Sequence, residues 1–488
     1  MAERSKAPGS ADSLLSRREI LKRGVLGAAG LAAGPAVLAA LPAVLAACKG
    51  TTASPNTPPR YAPTAPPSPT PGLTGRLRVG RSLFDPDDTQ LKNLIAGFGE
   101  VDAAFAAMTG LAVTLNETFT YPYLTTAPDD VATSGFLGPG YRLQSLGPAG
   151  FIAPVDDVWA TVKDNFSAAV AEAVTGNDGH VYGIPFDSSP WVFFYRKSIW
   201  ASNGYEVPTT WAELLALCDR MKSHNWMPVA LGLQEPQLAM MGTFDLLNVR
   251  LNGHDFHVGL LTGKEKWTDH RVIAVLEAWR ELIPYYSLYD HGSAWGLPKQ
   301  SWLDAAGHFE HGEAGMFYTG LFLLAGFDGL DAAVVDDIDF FEFPYFGNQW
   351  DAEKVVEAPI DIWAMPSRSS TLHADLANVS AFLEFWAQGS SQLLMRGHKP
   401  GYIPAARDTD TSQLDRLSKK AFELVGGAQH LTQSFGTDTR PGFGGADGME
   451  SFMHSFVNDP TMDLAALTQG IQQYWDRLPP FDVADMVE

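Results

Sequence analysis

Asp187 stands directly after the strand-like run "YGIPF", and Trp191 comes shortly after it in "SPWVFF". Asp361 and Trp363 repeat the combination of acid and ring in "PIDIWAMP". A carboxylate accepts hydrogen bonds from adjacent hydroxyls, and a flat aromatic face covers C–H groups, so such combinations suit a hydroxylated ring. Phe136 and Tyr141 in "SGFLGPGYRL" follow the strand-like "DDVATS" and extend the set. Arg440, in the Gly-rich "DTRPGFGG", offers a two-pronged donor for a hydroxyl pair or a carboxylate. Each residue also has a plainer role: a turn or cap for Asp187, core packing for the rings, a surface ion pair for Arg440.

Other chemistries leave weaker traces. Two carboxyl groups about 5–9 Å apart suffice for glycoside hydrolysis, and this acid-rich chain leaves that open. "HFEHGE" carries His308, Glu310, His311 and Glu313, and "NGHDFH" carries His254 and His257. Both His pairs are spaced by three, not by the four of a zincin helix with its catalytic Glu, so no metal or other cofactor is expected. There is no G-x-S-x-G elbow and no G-x-x-x-x-G-K phosphate loop. Cys218 recurs with Trp211, Leu214 and Leu215 at helical spacing behind a capping box of Thr210 and Glu213, which predicts a buried core position.

Composition bounds the partners. The 488 residues are 45% hydrophobic and 18% charged, enough for two domains or one large bilobed one. The formal charge is −22; residues 1–47 hold six basic and three acidic side chains, so the chain from Cys48 onward carries −25. Such a body is repelled by nucleic acid and by anionic lipid headgroups.

The first 72 residues have their own logic. Arg17 and Arg18 in "SRREILK" precede an uncharged run, Gly24–Ala47, rich in Ala and Gly with Pro35 and Pro42 inside. That run is too weakly apolar for a permanent anchor and reads as an export signal. "SRREILK" resembles the twin-arginine signal, and "LAAC" resembles a bacterial lipobox in which Cys48 becomes the lipid-bearing first residue. Residues 48–72, rich in Pro, Thr and Ser, read as an extended tether. The expectation is a body attached to the outer face of the membrane by lipid.

From about Leu73, short apolar runs alternate with helical segments. "RLRVG", "AVTLNE", "VFFYRK", "PVALGL", "AGMFYT", "DFFEFP" and "DIWAMP" read as strands; residues 89–108, 210–222, 269–283 and 373–387 read as helices. Alternation of this kind predicts α/β architecture with largely parallel sheets.

The adjoining stretches "GHVYGIPFDS" and "SPWVFFYRKSIWASNGYEVPTTWAELLALCDRMK" together resemble the centre of the extracellular solute-binding proteins of ABC importers, in the sugar-binding, maltose-binding-protein-like group (family 1). "FEHGEAGMFYTGLF", "VEAPIDIWAMPSRS" and "ANVSAFLEFWA" resemble later segments of that group, in its order. The resemblance implies a two-lobed periplasmic-binding-protein fold (type II-like) with the ligand cleft between lobes. It puts residues 73–186 and 310–360 in an N-terminal lobe, and 187–309 and 361–488 in a C-terminal lobe. It further implies a non-enzymatic, monomeric receptor that delivers a carbohydrate to ABC permease transmembrane subunits. A non-sugar solute and, further off, a surface glycoside hydrolase are the alternatives. Asp187 falls where the family places a hydroxyl-binding carboxylate, and Glu235 in "LGLQEPQ" matches a second one. Gln237 replaces the aromatic expected near Glu235, which argues against maltodextrin. Phe322 matches a stacking Trp, and Asp361 and Trp363 lie at a lobe crossing.

Overall fold

The apolar runs fold as strands wherever they are described. The computed structural model describes residues 73–81, 89–116, 130–133, 146–232, 242–286, 301–327, 332–367, 376–432 and 448–478, with 143, 435, 438–440 and 442–444 between them. Arg17, Arg18, Cys48 and the rest of 1–72, together with Phe136, Tyr141, Glu235 and Gln237, lie outside these residues. The strands are β1 (Leu77–Arg81), β2 (Val113–Asn116), β3 (Val131–Thr133), β4 (Ile152–Ala153), β5 (Ile184–Ser188), β6 (Trp191–Arg196) and β7 (Met227–Ala230). They continue as β8 (Ala314–Gly320), β9 (Ile338–Phe341), β10 (Val355–Glu357), β11 (Ile360–Trp363), β12 (Met365–Pro366), β13 (Ile403–Pro404) and β14 (His430–Thr432).

The expected helices form as Thr89–Thr109, Trp211–Ser223, His270–Leu282 and Leu376–Trp386. Thr210 caps the second by accepting the Glu213 N–H, while the Glu213 carboxylate accepts the Thr210 N–H. Cys218 on that helix is fully buried, and burial pushes its thiol up, out of reactive range. Val272, Leu276, Trp279 and Ile283 are buried as their spacing predicts, whereas Leu376, at the start of its helix, is 48% exposed.

Two apolar cores organise these elements. One gathers β1, β3 and β5 with Phe98, Phe105, Trp363, Phe382 and Trp386. The other gathers the helices Trp211–Ser223, Thr243–Asn252 and His270–Leu282 with Phe435, Phe443 and Phe456. The sheet β7-β8-β6-β9 feeds both, because side chains alternate across a strand. Phe193, Met316, Tyr318 and Phe341 enter the second core, whereas Val192, Phe194, Phe317 and Phe340 enter the first.

The sheets are mixed rather than largely parallel. β1 pairs in parallel with β2 and β3, β7 with β8, and β10 with β14. β6 runs antiparallel to β8 and β9, and β5 antiparallel to β11 and β13.

This pairing shows which sheet each returning strand joins. β8 and β9, assigned with residues 73–186, bond to β6. β11 and the helix Leu376–Trp386, assigned with 187–309, belong with the first core: β11 bonds to β5, and Phe382 and Phe385 pack on Phe105. Chain order does not say which sheet a returning strand joins; complementary edges and faces decide it.

Candidate functional site

β5 ends on Asp187–Ser188 between β11 and β13. Its register sets Asp361 of β11 opposite Asp187, and Pro404 of β13 opposite Asp187 on the other side. Like charges directly across a strand pair repel, so this arrangement needs a cation. Lys399, in the turn that leads into β13, supplies it. Its Nζ donates to Asp187 Oδ2 at 2.7 Å and to Asp361 Oδ2 at 2.5 Å, and lies 3.7 Å from the centre of the Tyr402 ring.

One ammonium between two carboxylates leaves the group with an excess negative charge. Burial raises the Asp187 carboxyl to about 7, with Lys399 pulling it down and Asp361 pushing it further up. Burial lowers the Lys399 ammonium, but the two acids outweigh it and hold it above its ordinary range. Burial also lifts the Tyr402 phenol to about 12. Asp187 Oδ1 is buried and has no hydrogen bond of ordinary distance and angle among the described residues, while the facing Asp361 carboxyl also interacts with the Asp187 carboxyl.

Aromatic rings sit next to this acid pair. Trp191 opens β6 opposite Gly320, the last residue of β8. Phe322 folds back beside it, its ring 5.8 Å from both Trp191 and Trp302. Gly320 permits that fold, since a Cβ there would lie 2.2 Å from the Phe322 ring. Phe322 and Trp302 are half-buried, whereas Trp191 is buried with its indole N–H unpaired among the described residues.

Ser189 ties the acids to the rings. Its hydroxyl donates to Gly401 O at 2.9 Å and accepts the Phe322 N–H at 3.0 Å. Gly401 has a φ of +80°, and a Cβ on it would lie 2.2 Å from Leu321 O and 2.6 Å from Phe322 Cα. The Lys399–Tyr402 turn therefore presses directly on the segment that carries Phe322.

The sequence reading missed a further buried group next to Trp191. Gly242, at a φ of +81°, brings its backbone so close to Trp191 and Tyr318 that a Cβ would lie 2.7 Å from the Tyr318 hydroxyl. Asp245, fully buried, accepts the Phe435 N–H. Glu357 of β10 is fully buried, and neither of its carboxylate oxygens has a hydrogen bond meeting ordinary distance and angle among the described residues. Burial raises Asp245 to about 8 and Glu357 well above the carboxylate range, and the Asp245 charge pushes Glu357 higher still. A carboxyl kept neutral in this way can donate a hydrogen bond as well as accept one. The signal for Glu357 was available: a charged residue within the apolar run "VVEAPI" is rarely buried without a reason.

The other expected contacts fare differently. Trp363, expected as a ligand contact, is fully buried among Phe98, Phe186, Phe382 and Trp386, with ring centroids 5.2–5.8 Å away. Arg440 lies with its guanidinium 5.0 Å from the Trp475 ring, against the second core. His308 pairs with Glu313 while His311 turns to Gly307 O, so the two imidazoles of that motif engage different partners.

The family model described as bacterial extracellular solute-binding protein matches residues 100–419, about two thirds of the chain. The chain belongs to this family. Members are receptors rather than enzymes. A crystal structure of the bacterial solute receptor AcbH, described as having an exclusive preference for β-D-galactopyranose, aligns with a TM-score of 0.73 at 28% identity. That alignment covers 82% of this chain and 99% of the receptor, and it carries the two-lobed solute-binding fold. A probable sugar-binding periplasmic protein of Rhizobium meliloti is 31% identical over 121 residues, which is 24% of this chain. An uncharacterized ABC transporter extracellular-binding protein of Pyrococcus horikoshii is 21% identical over 192 residues, which is 38% of this chain. The chain spans 28% and 42% of the lengths of these two relatives. The family is extracellular or periplasmic, and no helix among the described residues is long and apolar enough to cross a membrane.

Proposed function

We propose that this solute-binding protein captures a carbohydrate between two lobes and delivers it to the transmembrane subunits of an ABC permease. The observation that carries this reading is the contact of the Asp187–Lys399–Asp361 group with the Phe322–Trp191–Trp302 rings through Ser189 and Gly401. Charged acceptors and donors beside half-buried rings suit a molecule with a hydroxylated rim and an apolar face. The likeness to a galactopyranose receptor makes a single hexose, galactose first, the ligand to try. The first lobe comprises roughly residues 73–190 and 350–432, and the second roughly 191–345 and 435–478, following the sheet pairings. Asp187 and Phe322 contact the sugar in this reading, with Asp361 and Lys399 holding Asp187 in place. Glu235, Phe136 and Tyr141 remain candidate cleft residues by sequence, and Arg440 a weaker one. Residues 1–47, with Arg17 and Arg18, act as the export signal; Cys48 carries the lipid, and 48–72 form the tether.

Calorimetric titration of the purified protein with galactose, glucose, xylose, raffinose and chitobiose tests the reading. One of them is expected to bind saturably at one site, with affinity falling at least tenfold in Asp187→Asn and in Phe322→Ala. Absence of binding across mono- and oligosaccharides would sink it. For the anchor, Cys48→Ser is expected to move the protein from the membrane fraction to the medium.

A further inference from the structure

A second cluster of ligating side chains lies apart from the acid pair and uses residues that no sequence motif joins. Glu172 comes from the helix Ala168–Ala173, His430 opens β14, and His254 opens the helix His254–Leu261. One oxygen or ring nitrogen from each lies within 4.8 Å of the other two. His430 Nδ1 is 2.7 Å from Glu172 Oε2, and the two imidazoles stack with centroids 4.4 Å apart. The His254 backbone N–H donates to Glu353 at 3.0 Å, which fixes the start of its helix. His254 is 9% exposed, and burial pushes its ring toward the neutral form, with His430 adding to the effect.

We infer that Glu172, His254 and His430 form a binding site for one borderline transition-metal ion, Zn2+ in the first instance. Two imidazole nitrogens and one carboxylate oxygen, with a fourth position for water, are a donor set that Zn2+ takes readily. Ligand atoms about 2.1 Å from one ion lie roughly 3.4 Å apart in a tetrahedral site, so the atoms must draw closer and one of the two stacked rings, now 13° from parallel, must turn so that both nitrogens face the ion. The ion takes the place of the hydrogen bond between His430 Nδ1 and Glu172, and a neutral ring bound through Nδ1 carries its N–H on Nε2. A local clamp follows from the placement. Glu172 and His430 sit on elements of the first core, and His254 heads a helix whose Phe256 and Leu260 belong to the second. An ion held by all three cross-links elements packed on different cores.

The test uses the exported chain, stripped of metal and titrated with Zn2+ alone, and reads no sugar. One ion per chain is expected, with a rise in melting temperature that EDTA reverses and an affinity that weakens on acidification. His254→Gln and Glu172→Gln are each expected to lower affinity at least tenfold, while His308→Gln leaves it unchanged. Titration of the unaltered chain with Co2+ guards against variants that fail to fold: a four- or five-coordinate absorption spectrum supports the site. Absence of saturable binding, equal affinity in all variants, or a purely six-coordinate Co2+ spectrum overturns the inference.

Discussion

Lys399 shows how one side chain can carry the electrostatics of a site. It is the cation shared by two acids that register forces to face each other. Removing one partner from a buried charge group costs about 3–5 kcal/mol when the remaining charge cannot escape. Asp187 can escape by taking up a proton, so Lys399→Met is expected to destabilise less at pH 5 than at pH 8, as read by urea denaturation. The sign for Asp187 itself follows from its raised value. Burial holds its carboxyl near 7 in the folded protein, above the ordinary 3.8, so the folded state binds the extra proton between those values. That contribution to stability is complete below about pH 4 and is lost as pH rises through about 7. Asp187→Asn is therefore expected to flatten the fall in stability between pH 5 and pH 8. Trp363 and Phe322 separate packing from binding. Trp363→Ala is expected to cost about 3–5 kcal/mol of stability while sparing ligand affinity in the molecules that fold. Phe322→Ala, at a half-buried ring, should do the reverse.

The turn between Lys399 and β13 joins two segments remote in sequence, and that makes it testable as an element. Gly401 adopts a φ of +80° and meets the Leu321–Phe322 backbone without room for a side chain. Gly401→Ala combines left-handed backbone strain of about 1 kcal/mol or more with a clash against main chain. The expected outcome is a lower melting temperature together with weaker sugar binding, since both Lys399 and Phe322 shift. Gly347→Ala serves as a control: its φ is +73°, but a Cβ there meets nothing within 4 Å. If both substitutions leave sugar affinity untouched, the turn does not couple the acids to the rings.

For the molecule as a receptor, the governing relation is mass action. A ligand that binds only the folded, closed form stabilises it by about 2.7 kcal/mol at one hundred times its dissociation constant. Closure is favoured only through contacts the ligand makes with both lobes together, a shift of population rather than a forced motion. If the proposed sugar is the ligand, melting temperature climbs with its concentration, and scattering reports a smaller radius of gyration with ligand. The acidic body, −25 from Cys48 onward, adds that association with a basic surface on the proposed permease partner is expected to weaken as salt is raised.

Much of this protein was legible in one dimension because local physics decides it. Apolar periodicity located β1, β6, β8 and the helix Trp211–Ser223 to within a residue or two, and the Thr210–Glu213 cap formed as read. Asp187 and Asp361 were recognisable as acids at or near the ends of apolar strands. Lys399 was not, because its meaning comes from a carboxylate 212 positions away. The same holds for Glu172, His254 and His430, and for the sheet that β8, β9 and β11 each join. Periodicity reports which face of an element is apolar; it carries no record of which distant edge that element pairs with. Only the folded chain, where backbone hydrogen bonds and core packing are satisfied together, chose the sheet each returning strand joins, buried Trp363 and gathered the acids around one lysine.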